Sequence, residues 1–241
     1  MTVTAQAIPM LSDNYSWLLI DQATGKTGIV DPAEVGPAIS VLESLNMGLD
    51  FIFLTHHHDD HIGGVAGLVE MYHSTVVGNQ ADAHRLPPLD IAVHEGSLVE
   101  FGSARLRVIE TPGHTLGHIS YFIADGNVLL PGDTLFSLGC GRLFEGNAEQ
   151  MFNSIAKYSD LPDETLVCAG HEYTSSNARF ALTVEPQNEA LLQRARQIQV
   201  LRGMGQPTLP VSLGVERATN PFIRAKDAQS FARIRKAKDQ A

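Results

Sequence analysis

The sequence predicts an α/β fold of stacked sheets with helices on the outer faces. Two observations point there. Short apolar runs come in groups, separated by turn residues, and helical stretches are interleaved after them. This grouping occurs twice along the chain, which suits stacked sheets better than a regular βαβ repeat.

Each element is readable in order. Val3 to Ile8, Tyr15 to Ile20 and Thr27 to Val30 are strands, separated by Ser12-Asp13-Asn14 and Thr24-Gly25. Asp31-Pro32 ends the third, and Ala33 to Leu45 has helical spacing with Val35, Ile39, Val41 and Leu42 as its stripe. Asp50 to Leu54 is a buried strand, followed by a helix near Gly64 to Tyr72 and a strand at Thr75 to Val77. Leu86-Pro87-Pro88 is a loop. Ser97 to Phe101 and Arg105 to Glu110 form one hairpin, and His118 to Ile123 with Val128 to Leu130 form another around Asp125-Gly126-Asn127. A helix fits Glu149 to Tyr158, and Thr165 to Ala169 is the last buried strand. Beyond Gly170-His171 the pattern is helical, at Ser175 to Leu182, Glu189 to Met204 and Ala228 to Lys238. A boundary near residue 172 divides a domain over 1–172 from a helical region over 173–241.

Composition narrows the function. The 241 residues are 44% hydrophobic, enough for a sizeable core. No uninterrupted apolar run approaches the ~18 residues of a membrane span, and Met1 to Ala5 has no signal-peptide character. Two cysteines, Cys140 and Cys168, make no disulfide framework and fit a reducing cytosol. A cytoplasmic monomer without a membrane partner is expected. The net charge is −10, yet Arg194 to Ala241 carries ten basic and three acidic residues. The acidic body disfavours nucleic acid, whereas the basic tail suits a small anionic ligand.

Chemistry concentrates at Thr55-His56-His57-His58-Asp59-Asp60-His61, on a strand-to-helix turn. Imidazole and carboxylate without thiolate suit zinc, manganese or iron. Residues two apart at a strand end share a direction. One alternating pair therefore faces a common point, either His56 with His58 or His57 with Asp59. Three further donors, His114, Asp133 and His171, each follow a strand and a glycine, which permits a sharp turn and close approach.

In order, His-x-His-x-Asp-His, Thr111-Pro112-Gly113-His114-Thr115, Gly132-Asp133-Thr134-Leu135-Phe136 and Gly170-His171-Glu172-Tyr173-Thr174 resemble the metallo-β-lactamase superfamily in its glyoxalase II form. Asp13-Asn14-Tyr15, Val30-Asp31-Pro32, Gly139 to Gly146 and Arg235 to Asp239 extend the resemblance over nearly the whole chain. It implies a four-layer αββα sandwich with a small C-terminal helical region that binds substrate. It implies two divalent metal ions, zinc foremost with iron or manganese as alternatives. His56, His58 and His114 would hold one and Asp60, His61 and His171 the other, with Asp133 bridging. Asp60 and Asp133 are then the carboxylates of the catalytic centre, and His57 and Asp59 take supporting or solvent-facing roles. Seven donors exceed what one tetrahedral zinc needs. His118 is expected to pack or hydrogen-bond nearby.

The implied reaction is hydrolysis of S-D-lactoylglutathione to D-lactate and glutathione, the detoxification step for methylglyoxal, with a hydroxide between two metals attacking the thioester carbonyl. Arg142, Phe144, Tyr173, Arg235 and Lys238 map to the positions that hold the glutathione thioester. Many relatives have Lys-Phe-Tyr at Arg142-Leu143-Phe144, so one hydroxyl contact worth about 0.5–1.5 kcal/mol is missing here. Many also have histidine at Asp59. The same scaffold supports a one-iron persulfide dioxygenase or another hydrolase. The full ligand set disfavours the first, and the basic tail disfavours lactonase or β-lactamase chemistry.

Overall fold

The computed structural model describes residues 2–241. Its first sheet runs in the order β1 (Val3–Met10), β2 (Asn14–Asp21), β3 (Thr27–Val30), β4 (Phe51–Phe53), β5 (Thr75–Asn79) and β6 (Ile91–Val93). The first three strands are antiparallel and β3 to β6 are parallel. The second half of the chain supplies β7 (Leu98–Phe101), β8 (Ala104–Glu110), β9 (Ile119–Ile123), β10 (Val128–Gly132), β11 (Leu135–Phe136), β12 (Gly139–Cys140), β13 (Leu166–Ala169) and β14 (Val211–Ser212). The second sheet has the order β14-β13-β10-β9-β8-β7, and β11 and β12 form a separate small hairpin. The helices are α1 (Val35–Ser44), α2 (Asp59–Ile62), α3 (Val65–Tyr72), α4 (Ala148–Ala156), α5 (Thr174–Val184), α6 (Glu189–Gly203), α7 (Leu213–Thr219) and α8 (Ala228–Asp239).

Side-chain alternation explains the layers. On β2, Tyr15, Trp17 and Leu19 join the core between the sheets, with Phe53, Val77, Phe101 and Tyr121. Leu18 and Ile20 point the other way, to Ala38 and Leu42 of α1 and Val65 and Leu68 of α3. A strand covered on both faces is apolar throughout, and all eight residues of β2 are buried. Each large side chain fully buried here contributes about 1.5–3 kcal/mol. On the far side, Phe122, Leu129 and Val167 of the second sheet pack on Tyr158, Leu161 and Leu213. Helices therefore flank two stacked sheets, the expected four-layer αββα sandwich.

The long strands and helices fall where periodicity places them. The short ones were not anticipated. β6, β11, β12 and β14 have two or three residues each, too few for an alternation signal. A one-turn helix, α2, lies inside the histidine cluster, and α7 was likewise unforeseen.

Two joints bear on function. The first ties the sheets together beside the histidine cluster: Tyr15 N donates to the Gly170 carbonyl (2.7 Å) and Glu172 N to the Asp13 carbonyl (2.8 Å). The second fixes the β11–β12 turn to the C-terminal helices. Arg194 and Glu216, both buried, pair there. Glu216 also accepts from Leu138 N (3.0 Å), Arg194 donates to Ser137 Oγ (2.9 Å), and Asn220 Nδ2 donates to the Phe136 and Gly139 carbonyls (3.1 Å each). Leu138 adopts φ 58° at this turn, a conformation an L-residue holds only when its surroundings fix it.

Candidate metal centre and substrate cavity

All seven expected donors meet at the C-terminal ends of strands from both sheets. The alternation within the cluster resolves as one pair inward: His56 Nε2 and His58 Nδ1 are 3.1 Å apart, and His114 Nε2 is also 3.1 Å from His58 Nδ1. His57 turns away, its Nδ1 3.0 Å from Asp82 Oδ2, and Asp59 is exposed. A second triad consists of Asp60, His61 and His171. Here His61 Nε2 and His171 Nε2 are 3.3 Å apart, and His171 Nε2 is 3.4 Å from Asp60 Oδ2. The Asp133 carboxylate lies between the triads. Its oxygens are 3.4 Å from His61, 3.4 Å from His171 and 3.5 Å from His114.

The outer ring nitrogens explain why the inner ones converge. Thr55 Oγ1 donates to Asp31 Oδ2 (2.6 Å), so it accepts from His56 Nδ1 (2.9 Å). His61 Nδ1 donates to Asp31 Oδ2 (3.0 Å), His114 Nδ1 to the Arg142 carbonyl (2.8 Å) and His171 Nδ1 to Asp13 Oδ1 (3.0 Å). In the neutral ring each such outer proton leaves the Nε2 lone pair facing the centre. Asp60 is steadied by Asn14 Nδ2 (3.0 Å). The buried His118, stacked on His56, accepts from Asp133 N through Nε2 (3.1 Å), as its expected supporting role requires.

Glycine makes the approach possible at two points. Gly132 has φ 50°, and a Cβ there would lie 2.5 Å from Thr55 Oγ1. At Gly170 a Cβ would lie 2.8 Å from Asp133 Oδ1 and 2.9 Å from His61 Cε1.

This arrangement fits cations. Asp133 Oδ1 is buried without a hydrogen-bond partner, and ring nitrogens face one another with no protein donor between them. Without a cation, protons must do the balancing. Burial pushes His61 down, but Asp133, Asp31 and Asp60 outweigh it and hold the imidazolium up to about 9. Burial would raise Asp133; His61, His171 and His114 reverse that and keep it well below the usual carboxylate range. His56, ringed by other imidazoles, is driven far down by burial and by His61, His118 and His114. Cys140 contributes nothing ionic, since burial lifts its thiol to about 11.

The centre opens into a cavity of about 740 Å³. All five expected substrate residues line it: Arg142, Phe144, Tyr173, Arg235 and Lys238. Tyr173 stacks on the His171 ring at 4.6 Å between centroids. Phe144 is exposed and meets His58 and His114 edge-on. Arg235 differs from a free anion-binding arginine. It is buried, its Nε and Nη2 donate to Asp239 Oδ1 (3.1 and 2.7 Å) and its Nη1 to the Cys140 carbonyl (2.8 Å).

Asp31 and Thr55, which orient the rings, were not singled out from the sequence as site residues. The available signal was the same as for the metal donors, since both follow strands. Glu172 was also unassigned. It accepts from Tyr15 Oη (3.1 Å), Thr208 N (2.8 Å) and Thr208 Oγ1 (2.7 Å), anchoring the segment that carries His171.

Comparison with known proteins agrees with this geometry. The metallo-beta-lactamase superfamily profile matches residues 12–171, and that of the hydroxyacylglutathione hydrolase C-terminus matches 172–241. A hydroxyacylglutathione hydrolase from Ruegeria pomeroyi is 48% identical over 99% of both chains. The crystal structure of ETHE1 from Myxococcus xanthus has a TM-score of 0.74 at 27% identity, covering 98% of this chain and 90% of that one. That of TTHA1623 in a di-iron-bound form has a TM-score of 0.64 at 25% identity, covering 91% and 99%. Motif order, sandwich and whole-length similarity together lead to one assignment: the chain belongs to the metallo-β-lactamase superfamily and, within it, to the hydroxyacylglutathione hydrolases.

Proposed function

We propose that this protein hydrolyses S-D-lactoylglutathione to D-lactate and glutathione, using two divalent cations. The observation that carries the reading is the Asp133 carboxylate, within 3.5 Å of histidines from both triads, at the floor of a cavity with cationic walls. His56, His58 and His114 would hold one cation, Asp60, His61 and His171 the other, and Asp133 both. The donors suit zinc, iron or manganese, and zinc is our assignment. The di-iron form of TTHA1623 supports a two-cation reading.

What divalent cations supply there is acidification of water, from 15.7 to about 7, and polarisation of a carbonyl. The chain's own residues do the rest. Asp31, Thr55, Asp13 and the Arg142 carbonyl hold the imidazoles in their tautomers. Arg142 and Lys238 attract the carboxylates of the tripeptide and turn the thioester toward the centre. Phe144 and Tyr173 present ring surfaces on either side of the donor cluster. The departing thiolate needs no side-chain acid, because its conjugate acid has a pKa of about 8.5.

Residues 173–241 serve in this reading as the substrate-binding region, with residues 1–172 carrying the centre. Among the described residues no helix is long and apolar enough to cross a membrane. We propose a cytoplasmic monomer, in keeping with two buried free thiols.

The test is hydrolysis of S-D-lactoylglutathione by the purified protein, before and after chelation, with metal content measured on the same sample. Turnover that disappears on chelation and returns with added metal is expected. No turnover with about two metals bound per chain would overturn the assignment.

A further inference from the structure

We propose that Glu145 is a positioning residue for His58, acting on that ring from two sides. The inference rests on the two-cation reading above and goes beyond it, since Glu145 is neither one of the seven donors nor one of the residues expected to hold substrate.

His58 is the donor with the least support of its own. The outer nitrogens of His56, His61, His114 and His171 each have a hydrogen-bond partner, in Thr55, Asp31, the Arg142 carbonyl and Asp13. His58 instead turns Nδ1 to the centre, and its Nε2 has no hydrogen-bond partner among the described residues. The ring is also only half-buried. Beyond the rings of its own triad, the aromatic neighbours of His58 are His57, at 5.0 Å between centroids, and Phe144, edge-on at 5.6 Å.

Glu145 governs both neighbours. On one side, its Oε1 lies 3.6 Å from His57 Nε2, while His57 Nδ1 donates to the buried Asp82 Oδ2 at 3.0 Å. Arg85 closes this circuit. Its Nε donates to Asp82 Oδ1 (2.6 Å), and both of its terminal nitrogens donate to the Glu145 carboxylate. On the other side, Phe144 immediately precedes Glu145 in the chain. Glu145 Oε2 accepts from Leu116 N (2.7 Å), and the His114 carbonyl accepts from Phe144 N (3.2 Å) and Glu145 N (3.3 Å). The loop that carries Phe144 is thereby clasped to the segment that carries His114.

Ion pairs as exposed as Arg85 with Glu145 add little to stability in general. What distinguishes this one is its place, behind the donor that lacks an outer hydrogen bond. A coordinating nitrogen must point its lone pair along the bond it makes, so a ring free to swing binds more weakly than one held in place. His57 and Phe144 limit that swing, and Glu145 fixes where both of them stand.

The experiment titrates the metal-free full chain with cobalt(II), followed by visible absorption and by competition with a chelator of known affinity. Wild type, Glu145→Ala, Glu145→Gln, His58→Ala and the double variant His58→Ala/Glu145→Ala are compared. Wild type is expected to bind about two ions per chain. Glu145→Ala should weaken one of them about tenfold and leave the other at its wild-type affinity. The weakened ion should be the one whose absorption band changes in His58→Ala. Glu145→Gln keeps an oxygen for Leu116 N but loses the charge facing Arg85 and His57, so it should weaken the same ion by less. If Glu145→Ala does not fold, Glu145→Gln carries the comparison, alone and with His58→Ala. Once His58 is gone, the change at Glu145 should add no further loss. Unchanged affinity for both ions overturns the proposal, as does an equal loss on both. A loss that persists in full without His58 overturns it too. Wild type that binds fewer than about two cobalt ions overturns the two-cation reading itself, and this inference with it.

Discussion

Asp31 Oδ2 lies 3.0 Å from His61 Nδ1 and 2.6 Å from Thr55 Oγ1, so one buried carboxylate orients a ring in each candidate triad. It acts on His61 directly and on His56 through the threonine hydroxyl. Replacing Asp31 with Asn preserves shape but presents an amide NH₂ where a carboxylate oxygen accepted. One ring must then turn its lone pair outward. Asp31→Asn is expected to lower metal affinity about 10–100-fold. Competition with a chelator of known affinity measures it, and unchanged affinity would remove the orienting role.

The pH dependence of metal uptake follows from His61. Its metal-free imidazolium is held up to about 9, above the ordinary histidine value, so it is protonated at neutral pH. A metal ligand must be neutral. Affinity should therefore rise with pH, levelling off above about 9, and at about pH 7.5 binding should release protons. Calorimetry in buffers of different ionisation enthalpy reads the number released. Zero protons at that pH would contradict the charge balance among His61, Asp133 and Asp31.

Gly170→Ala tests close packing at the centre. The added methyl would lie 2.8 Å from Asp133 Oδ1 and 2.9 Å from His61 Cε1. We expect overpacking to cost about 1–3 kcal/mol and the displaced carboxylate to lower metal content. Thermal unfolding and metal analysis after dialysis report the two effects separately. Full occupancy after dialysis would show that the cradle tolerates the shift.

The Arg194–Glu216 pair is buried, and removing one partner leaves an uncompensated charge. Arg194→Ala should cost about 3–5 kcal/mol in denaturant unfolding. Replacing both residues with apolar side chains of similar volume should cost less than Arg194→Ala alone. If the double variant is the weaker of the two, the penalty comes from packing rather than from the unpaired carboxylate.

The candidate metal donors were legible because each obeys a local rule, a strand followed by a turn and a polar residue. His56, His114, Asp133 and His171 all do so, and parallel strands bring such ends together. The alternation between His56 and His57 was equally legible as a rule, although which pair faced inward needed the family resemblance. Local rules failed where the decisive partner lies far along the chain. Arg235 and Lys238 share one helix face by spacing, yet Asp239 and the Cys140 carbonyl engage the first, whereas the second donates only to the Ser176 carbonyl at 3.4 Å. The short strands β6 and β14 exist because neighbouring strands offer hydrogen bonds to them, and nothing in two or three residues announces that.

The backbone joint between Asp13–Tyr15 and Gly170–Glu172 has a consequence for metal selection. The sandwich resembles a book whose covers are its two sheets, and this joint binds the covers along the edge where the ligands gather. The segments that carry Asp13 and His171 are thus fixed by main-chain bonds independent of any cation, which favours an ion whose radius matches the spacing the donors already have.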